Sequence, residues 1–258
     1  MIDIHTHILP GFDDGAKDLE TALQMAAAAA ADGVDCVIAT PHVITGAFDY
    51  SREQIAAAVA DLNHALKARQ IPVEILPGGE YRLEVDLPAR LREGRVMTLN
   101  DSGAYLLVEL PASLLPPDYE RVLYDIQLQG VIPVIAHPER NQVIMRHHDI
   151  LARLTERGIK AQITCASVTG SFGRQIQNCS RRLLEQDAVH FLASDAHTIS
   201  GHRGVGLAEA RDEIKRRYGE DYAHALSEDN PARLLKGRDI PTLPPRSGLS
   251  WLQRMIGR

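Results

Sequence analysis

The sequence predicts an α/β protein, a distorted (β/α)7 TIM-like barrel, on three observations. Short apolar runs alternate with amphipathic helical patterns along the chain. Several of those runs are continuously apolar, as strands buried on both faces of a parallel sheet are. Almost every run ends in a histidine or a carboxylate. The chain has 258 residues, and α/β barrels of about 200 to 250 residues form single units. The expected organisation is a barrel over residues 1–240, then a proline-containing linker and short tail over 241–258.

Taken in order, strands are expected at residues 2–5, 36–40, 73–76, 105–110, 132–136, 161–164 and 190–193. An alanine-rich helix over 19–32 follows the first and stops at Gly33. Ser51 and Gln54 form a capping box opening a helix that presents Ile55, Val59, Leu62 and Leu66 on one face. Asp118 caps a helix over 119–129 ending at Gly130, and Asp149 leads one ending at Gly158. Helices over 174–186, 207–218 and 231–235 complete the alternation, the last with Asn230 as cap and Pro231 in its first turn. Right-handed crossovers between parallel strands close such a series into a barrel. In the tail, Leu249, Leu252 and Ile256 share a helical face near Trp251 and Met255. Packing on protein is expected over peripheral membrane contact, because Arg254 and Arg258 make a weak lipid anchor.

Lys plus Arg number 28 against 34 Asp plus Glu, a net charge of −6, so the overall basic field of a nonspecific nucleic-acid binder is missing. Met1-Ile2-Asp3-Ile4-His5 carries neither a charged leader nor an apolar span, and a cytoplasmic protein is expected. Cys36, Cys165 and Cys179 are too scattered for a disulfide framework or a cysteine zinc site. None is followed at the sixth position by arginine, which excludes that thiolate route to phosphoester cleavage. No GxSxG elbow or GxxxxGK loop is present, and Gly204-Val205-Gly206 lacks the third glycine of a dinucleotide fingerprint.

The chemistry sits at the strand ends, which in a (β/α) barrel converge on one mouth. The first expected strand ends in His5-Thr6-His7, with Asp14 in the loop beyond; adjacent Asp13 is an alternative to it. Later strands end in Thr40-Pro41-His42, Gly78-Gly79-Glu80, Val108-Glu109, His137-Pro138-Glu139-Arg140 and Ser194-Asp195-Ala196-His197. Alternation puts His5 with His7, and Asp195 with His197, on common sides. Five imidazoles and four carboxylates exceed what one ion coordinates, so two or three divalent metals are expected. Three such ions carry more charge than four carboxylates cancel, and the surplus favours an anionic substrate. Arg140 and Arg203 lie beside this set, and a guanidinium fork matches phosphate oxygens. A lone histidine at a strand end is more often a packed or hydrogen-bonded residue; it is the joint pattern that points to metal. His64, His147, His148, His190, His202 and His224 lack such placement and are left out. Phe48, Tyr50 and Phe172 are candidates to flank an aromatic leaving group, although loop aromatics as often pack locally.

The order HxH, Asp, His, Glu, Glu, HPER, DxH resembles the polymerase-and-histidinol-phosphatase (PHP) superfamily of polymetal phosphoesterases. Within it, the pattern is similar to the protein-tyrosine phosphatases of bacterial capsule and exopolysaccharide operons, the CpsB/YwqE type. The segments carrying this likeness are residues 1–7, 10–17, 39–42, 137–141, Thr169-Gly170-Ser171-Phe172-Gly173 and 194–197. The resemblance implies the PHP barrel and a manganese-dependent tyrosine phosphatase, with iron or zinc as alternative metals. Its implied substrate is the phosphotyrosine tail of a membrane-associated tyrosine kinase controlling polysaccharide export. It assigns His5, His7, Asp14, His42, Glu80, Glu109, His137, Asp195 and His197 to metal, and Arg140, Arg203 and Asp14 to catalysis by metal-hydroxide attack on phosphorus. Thr164 stands where the family pattern leads one to expect asparagine. A small-molecule phosphomonoesterase, such as one for histidinol phosphate, and a noncatalytic metal-binding docking subunit are the alternatives; the net charge disfavours a nuclease.

Overall fold

A computed structural model describes residues 1–244, and the tail expected over 247–258 lies outside the described residues. The strands are β1 (Ile2–Thr6), β2 (Cys36–Ala39), β3 (His42–Val43), β4 (Glu74–Pro77), β5 (Glu80–Arg82), β6 (Tyr105–Glu109), β7 (Ile132–Ala136), β8 (Lys160–Thr164) and β9 (Phe191–Ala193). Every pairing is parallel, in the orders β1-β2-β4 and β3-β5-β6-β7-β8-β9. These two sheets are one wall. β2 continues into β3 across Thr40-Pro41 and β4 into β5 across Gly78-Gly79, where Glu80 N donates to Pro41 O at 3.0 Å. The nine strands therefore trace seven staves, the number the sequence predicts.

Closure comes where β9 meets β1. Thr6 bridges Ala196 in parallel, His7 N donates to Ala196 O, and Asp195 N donates to His5 O, the last two at 2.9 Å. Buried Asp3 fastens this seam: Oδ1 accepts from Ser194 N at 3.0 Å and His5 N at 3.3 Å, and Oδ2 accepts from Thr6 Oγ1 at 3.1 Å.

Outside the wall lie α1 (Leu19–Ala31), α2 (Arg52–Ala68), α3 (Leu87–Arg92), α4 (Tyr119–Gln127), α5 (Asp149–Glu156), α6 (Cys165–Thr169), α7 (Arg174–Glu185), α8 (Leu207–Tyr218) and α9 (Glu220–His224), while α10 (Asn230–Leu235) packs Leu234 into the barrel interior. Alternate strand residues, such as Val37, Ile75, Leu106, Ile135, Ile163 and Leu192, pack outward with the helices. The others, Ile4, Ile38, Leu107, Val134 and Phe191, fill the barrel with Leu99, Leu234 and Ile240.

The Ser51 capping box forms as expected. Asp118 makes no side-chain cap bond. Asn230 is not a cap: α9, a π-helical turn (Ala225–Asp229) and α10 run on without a break, Asn230 has φ −66 and ψ −46, and its Nδ2 donates to His190 O at 2.8 Å. The sequence reading has no counterpart for α3, α6 and α9, whose five or six residues are too short to show a helical period. No helix among the described residues is long and apolar enough to cross a membrane.

The N-terminus of α8 takes its cap from far away in the chain. Asp32 Oδ2, just beyond α1, accepts from Leu207 N at 2.6 Å and Ala208 N at 3.0 Å. Asp32→Ala leaves both donors without that acceptor and is expected to cost about 1–2 kcal/mol, read as a lowered denaturation midpoint. Asp32→Asn should recover most of it.

Candidate metal centre

The barrel mouth collects all nine expected donors. His5 Nε2 lies 3.2 Å from His7 Nε2 and 3.4 Å from both Glu80 Oε2 and Asp195 Oδ1. His7 Nε2 stands 3.5 Å from Glu80 Oε2 and 3.3 Å from Asp195 Oδ1. His137 Nε2 is 3.0 Å from Glu80 Oε1 and 4.0 Å from Glu109 Oε1. His42 Nε2 and His197 Nε2 reach Asp14 Oδ1 at 3.7 and 3.2 Å. Four overlapping groups have ligand atoms within 4.8 Å of one another: His7, Asp14, His42, His197; His5, His7, Glu80; His5, His137, Asp195; and His42, Glu80, Glu109.

The donors fit divalent ions on a second count. Glu80 Oε2, Glu109 Oε2, His42 Nδ1 and His197 Nε2 are buried and make no hydrogen bond. His42 Nδ1 and Glu80 Oε2 stand 2.8 Å apart without the alignment of one. Buried polar atoms left unsatisfied are costly, and here they face one another as donors to shared cations do.

Behind the donors, further groups hold the rings. Asp13 Oδ2 accepts from His7 Nδ1 at 2.6 Å and His42 N at 2.9 Å, while its Oδ1 accepts from Gly15 N at 2.9 Å. Asp13 thus backs the cluster and Asp14 enters it. Gln162 Oε1 lies 3.0 Å from His5 Nδ1 and accepts from His137 N at 3.3 Å. His197 Nδ1 lies 2.9 Å from Asp195 O. With Nδ1 protonated in all three rings, each Nε2 lone pair faces the cluster, the usual way a metal-binding histidine is oriented. His137 and Asp195 adopt φ of 31 and 54, left-handed backbone that is uncommon for non-glycine residues.

Arg140 Nη1 pairs with Asp195 Oδ2 at 2.5 Å and Arg203 Nη1 with Asp14 Oδ2 at 3.1 Å. The six histidines set aside in the sequence take no part in the four groups; His202 lies edge-on to Phe172 and His224 pairs with Glu228. Phe48 stacks on His42 with centroids 5.9 Å apart, while Tyr50 packs on Phe12. Thr164 Oγ1 donates to buried Glu139 Oε1 at 3.0 Å, so threonine supplies the loop hydrogen bond at the position where asparagine was expected.

Residues 1–236 match a family model described as capsular polysaccharide synthesis, CpsB/CapC. The chain belongs to the CpsB/CapC family. It is 39% identical over 246 residues to tyrosine-protein phosphatase YwqE of Bacillus subtilis, covering 95% of this chain and 96% of that one. It is 31% identical over 240 residues to tyrosine-protein phosphatase CpsB of Streptococcus pneumoniae, covering 91% and 98%. A solved structure from work on YwqE and CpsB, described there as unique metal-dependent tyrosine phosphatases, superposes with a TM-score of 0.90 at 38% identity, over 97% of this chain and all of that chain. A mutant organophosphorus hydrolase, 14% identical, superposes with a TM-score of 0.55 over 91% of this chain and 92% of that one, a likeness of fold alone.

In this CpsB/CapC chain the sequence offers Asp13 as an alternative to Asp14, whereas Gln162 and Asp3, inside strands, give no local signal.

Charge at the mouth is mutually compensated. Burial works against protonated His5, but Glu80 and Asp195 outweigh it and its pKa is raised. Burial opposes charged His7 as well, and Asp13, Asp195 and Glu80 carry its pKa well above the ordinary value. Glu80 is buried yet held well below the usual carboxylate range by His5, His137 and His42. Burial also acts against ionised Asp195, and His5, His7 and His137 overcome it. For His5 and His7 the raised folded pKa means that their protonation stabilises the cation-free fold fully below about 6.5, and that this is lost as pH rises through the folded values. Divalent-ion affinity should rise over the same interval, because bound ions expel those protons. Calorimetric titration with manganese near pH 6.5, in two buffers of different ionisation enthalpy, should show net proton release; none would count against this charge balance.

Proposed function

We propose that this chain is a metal-dependent protein-tyrosine-phosphate hydrolase acting in the cytoplasm. Its substrate in this reading is the phosphotyrosine tail of a membrane-associated bacterial tyrosine kinase that controls polysaccharide export. Two or three divalent ions serve it, manganese first among them. The observation that carries the reading is the overlap of four donor groups at one mouth, with two arginines beside them, in a CpsB/CapC chain.

His5, His7, Asp14, His42, Glu80, Glu109, His137, Asp195 and His197 would hold the ions. When bound, such ions polarise phosphoryl oxygens and bring the pKa of water towards about 7, so that a nucleophile is present at neutral pH. The chain supplies orientation. Asp13 and Gln162 fix the rings of His7 and His5. Arg140 and Arg203 each spend one donor on a carboxylate of the cluster and keep others for phosphoryl oxygens. Tyrosine's phenolate, with a pKa of about 10, departs with little help from an acid. A thiolate does not compete: burial pushes the Cys36 and Cys179 thiols up to about 12 and that of Cys165 well above its ordinary value.

With manganese, the protein should hydrolyse phosphotyrosine peptides in preference to histidinol phosphate or a nucleic-acid terminal phosphate, lose activity to a chelator and regain it with added metal. Hydrolysis that persists after chelation ends the reading. His5→Ala and Asp195→Ala should lose bound metal, seen by elemental analysis, together with turnover. Arg140→Ala should keep its metal and raise KM by about tenfold, in the range of one charge-assisted contact.

A further inference from the structure

Resting on that reading of Arg140, we propose that Phe172 is a positioning residue for phosphate recognition, whose ring fixes the plane of the Arg140 guanidinium at the mouth. The Arg140 Cζ lies over the Phe172 ring at 5.4 Å from its centroid. On the edge of the guanidinium, Nη1 is held by Asp195 Oδ2 at 2.5 Å. An ion pair through one nitrogen leaves the plane free to turn about that bond. A second contact, between Cζ and the ring, restricts that rotation, and guanidinium groups favour aromatic faces. The ion pair and the ring contact together set where the remaining donors point.

The ring has an aromatic neighbour of its own. His202 meets it edge-on, with centroids 5.9 Å apart and planes at 75°. The segment Thr169-Gly170-Ser171-Phe172-Gly173 is built to throw it outward between α6 and α7. Gly170 and Gly173 have φ of 90 and 94, a region that L side chains rarely adopt, and a Cβ on Gly170 would come within 2.9 Å of the Gln177 side chain. Gly170 N donates to Ala166 O at 3.1 Å and Gly173 N to Gly170 O at 2.8 Å, while Thr169 Oγ1 lies 3.1 Å from Ser171 Oγ. None of these groups belongs to the four donor sets. On another side of Arg140 a cavity of about 30 Å³ is lined by Glu109, His137 and Asn141 as well, so the arginine borders open space next to the cluster. Among the described residues Arg203 pairs with Asp14 and shows no such aromatic contact, so that of the two arginines at the mouth Arg140 carries the device.

The test uses the full chain loaded with manganese and compares wild type, Phe172→Leu and Phe172→Trp. The probes are inorganic phosphate, measured by calorimetry, and a phosphotyrosine peptide, measured kinetically. In Phe172→Leu, phosphate affinity should fall and peptide KM should rise by the same factor, about fivefold for one partly exposed cation–π contact, with kcat and metal content unchanged. Phe172→Trp keeps an aromatic face and should restore both. Wild-type phosphate affinity in Phe172→Leu overturns the proposal. So does a rise in peptide KM without loss of phosphate affinity, which would mean that the ring receives the substrate's own aromatic group. Loss of metal or of thermal stability in the leucine variant, not repaired by tryptophan, would assign Phe172 to packing and also overturn it. A wild-type protein that hydrolyses no phosphotyrosine overturns the functional reading instead, and phosphate binding still decides the role of Phe172.

Discussion

The seam between β9 and β1 holds the mouth together, because it joins segments at opposite ends of the sequence that each carry two of the donors. Asp195 N and His5 O are hydrogen-bonded across it; the same two residues place side chains 3.4 Å apart in the cluster. Without this closure the sheet would be an open parallel array, and His5-Thr6-His7 would have no fixed relation to Asp195 and His197. The contact spans 191 positions between Asp3 and Ser194. Chain entropy opposes so long a loop only weakly per added residue, but something must still pin its ends. A buried carboxylate does so with three hydrogen bonds, although burial raises the Asp3 pKa and these bonds only partly offset it.

Why the sequence exposed most of the site, and where it could not, follows from the phase of the strands. Inward positions alternate, so Ile38 leads through Thr40 to His42, Leu76 through Gly78 to Glu80, Leu107 to Glu109, and Phe191 through Ala193 to Asp195 and His197. Apolar residue and donor share one parity, and a reader of period two finds them together. Two staves break the rule. Ile2 and Ile4 pack in the barrel interior, yet His5 and His7 reach the cluster; the register shift between Asp3 and Thr6 resets the phase. Val134 and Ala136 are inward, yet His137 joins the donors by turning through left-handed φ. Neither reset is written in the local sequence. Both hold donors that Gln162 touches, His5 at its ring and His137 at its backbone, and Gln162 is illegible for a related reason: these two partners come together only after the phases have shifted.

The breaks that divided seven expected strands into nine have an equally local cause. Pro41 has no N–H to donate, and Gly78-Gly79 carries no side chain to pack on the pleat. Both interruptions fall one or two residues before a donor, His42 and Glu80. The gaps leave the alternation of these two staves in phase, so His42 and Glu80 stay on the inward side. The sequence shows Pro41 and the glycine pair plainly, but whether they end a strand or bend it depends on pairing with neighbours.

Charge explains why so many ionisable groups share a buried space at all. Four carboxylates in a low-dielectric mouth cannot remain ionised without compensation, and the chain compensates in two layers. Imidazoles take protons when cations are few, as the raised pKa values of His5 and His7 indicate. Arginines supply a second layer that does not titrate, one on Asp195 and one on Asp14. The layers differ in what becomes of them. Protons on imidazoles must leave for the nitrogens to coordinate, so that layer is exchanged for divalent charge. The guanidinium layer stays. In the proposed reading, cations would neutralise Asp195 and Asp14 and leave the guanidinium charge for a dianionic phosphoryl group to match, so that metal loading and phosphate affinity would be coupled through the one carboxylate that each arginine shares with the cluster.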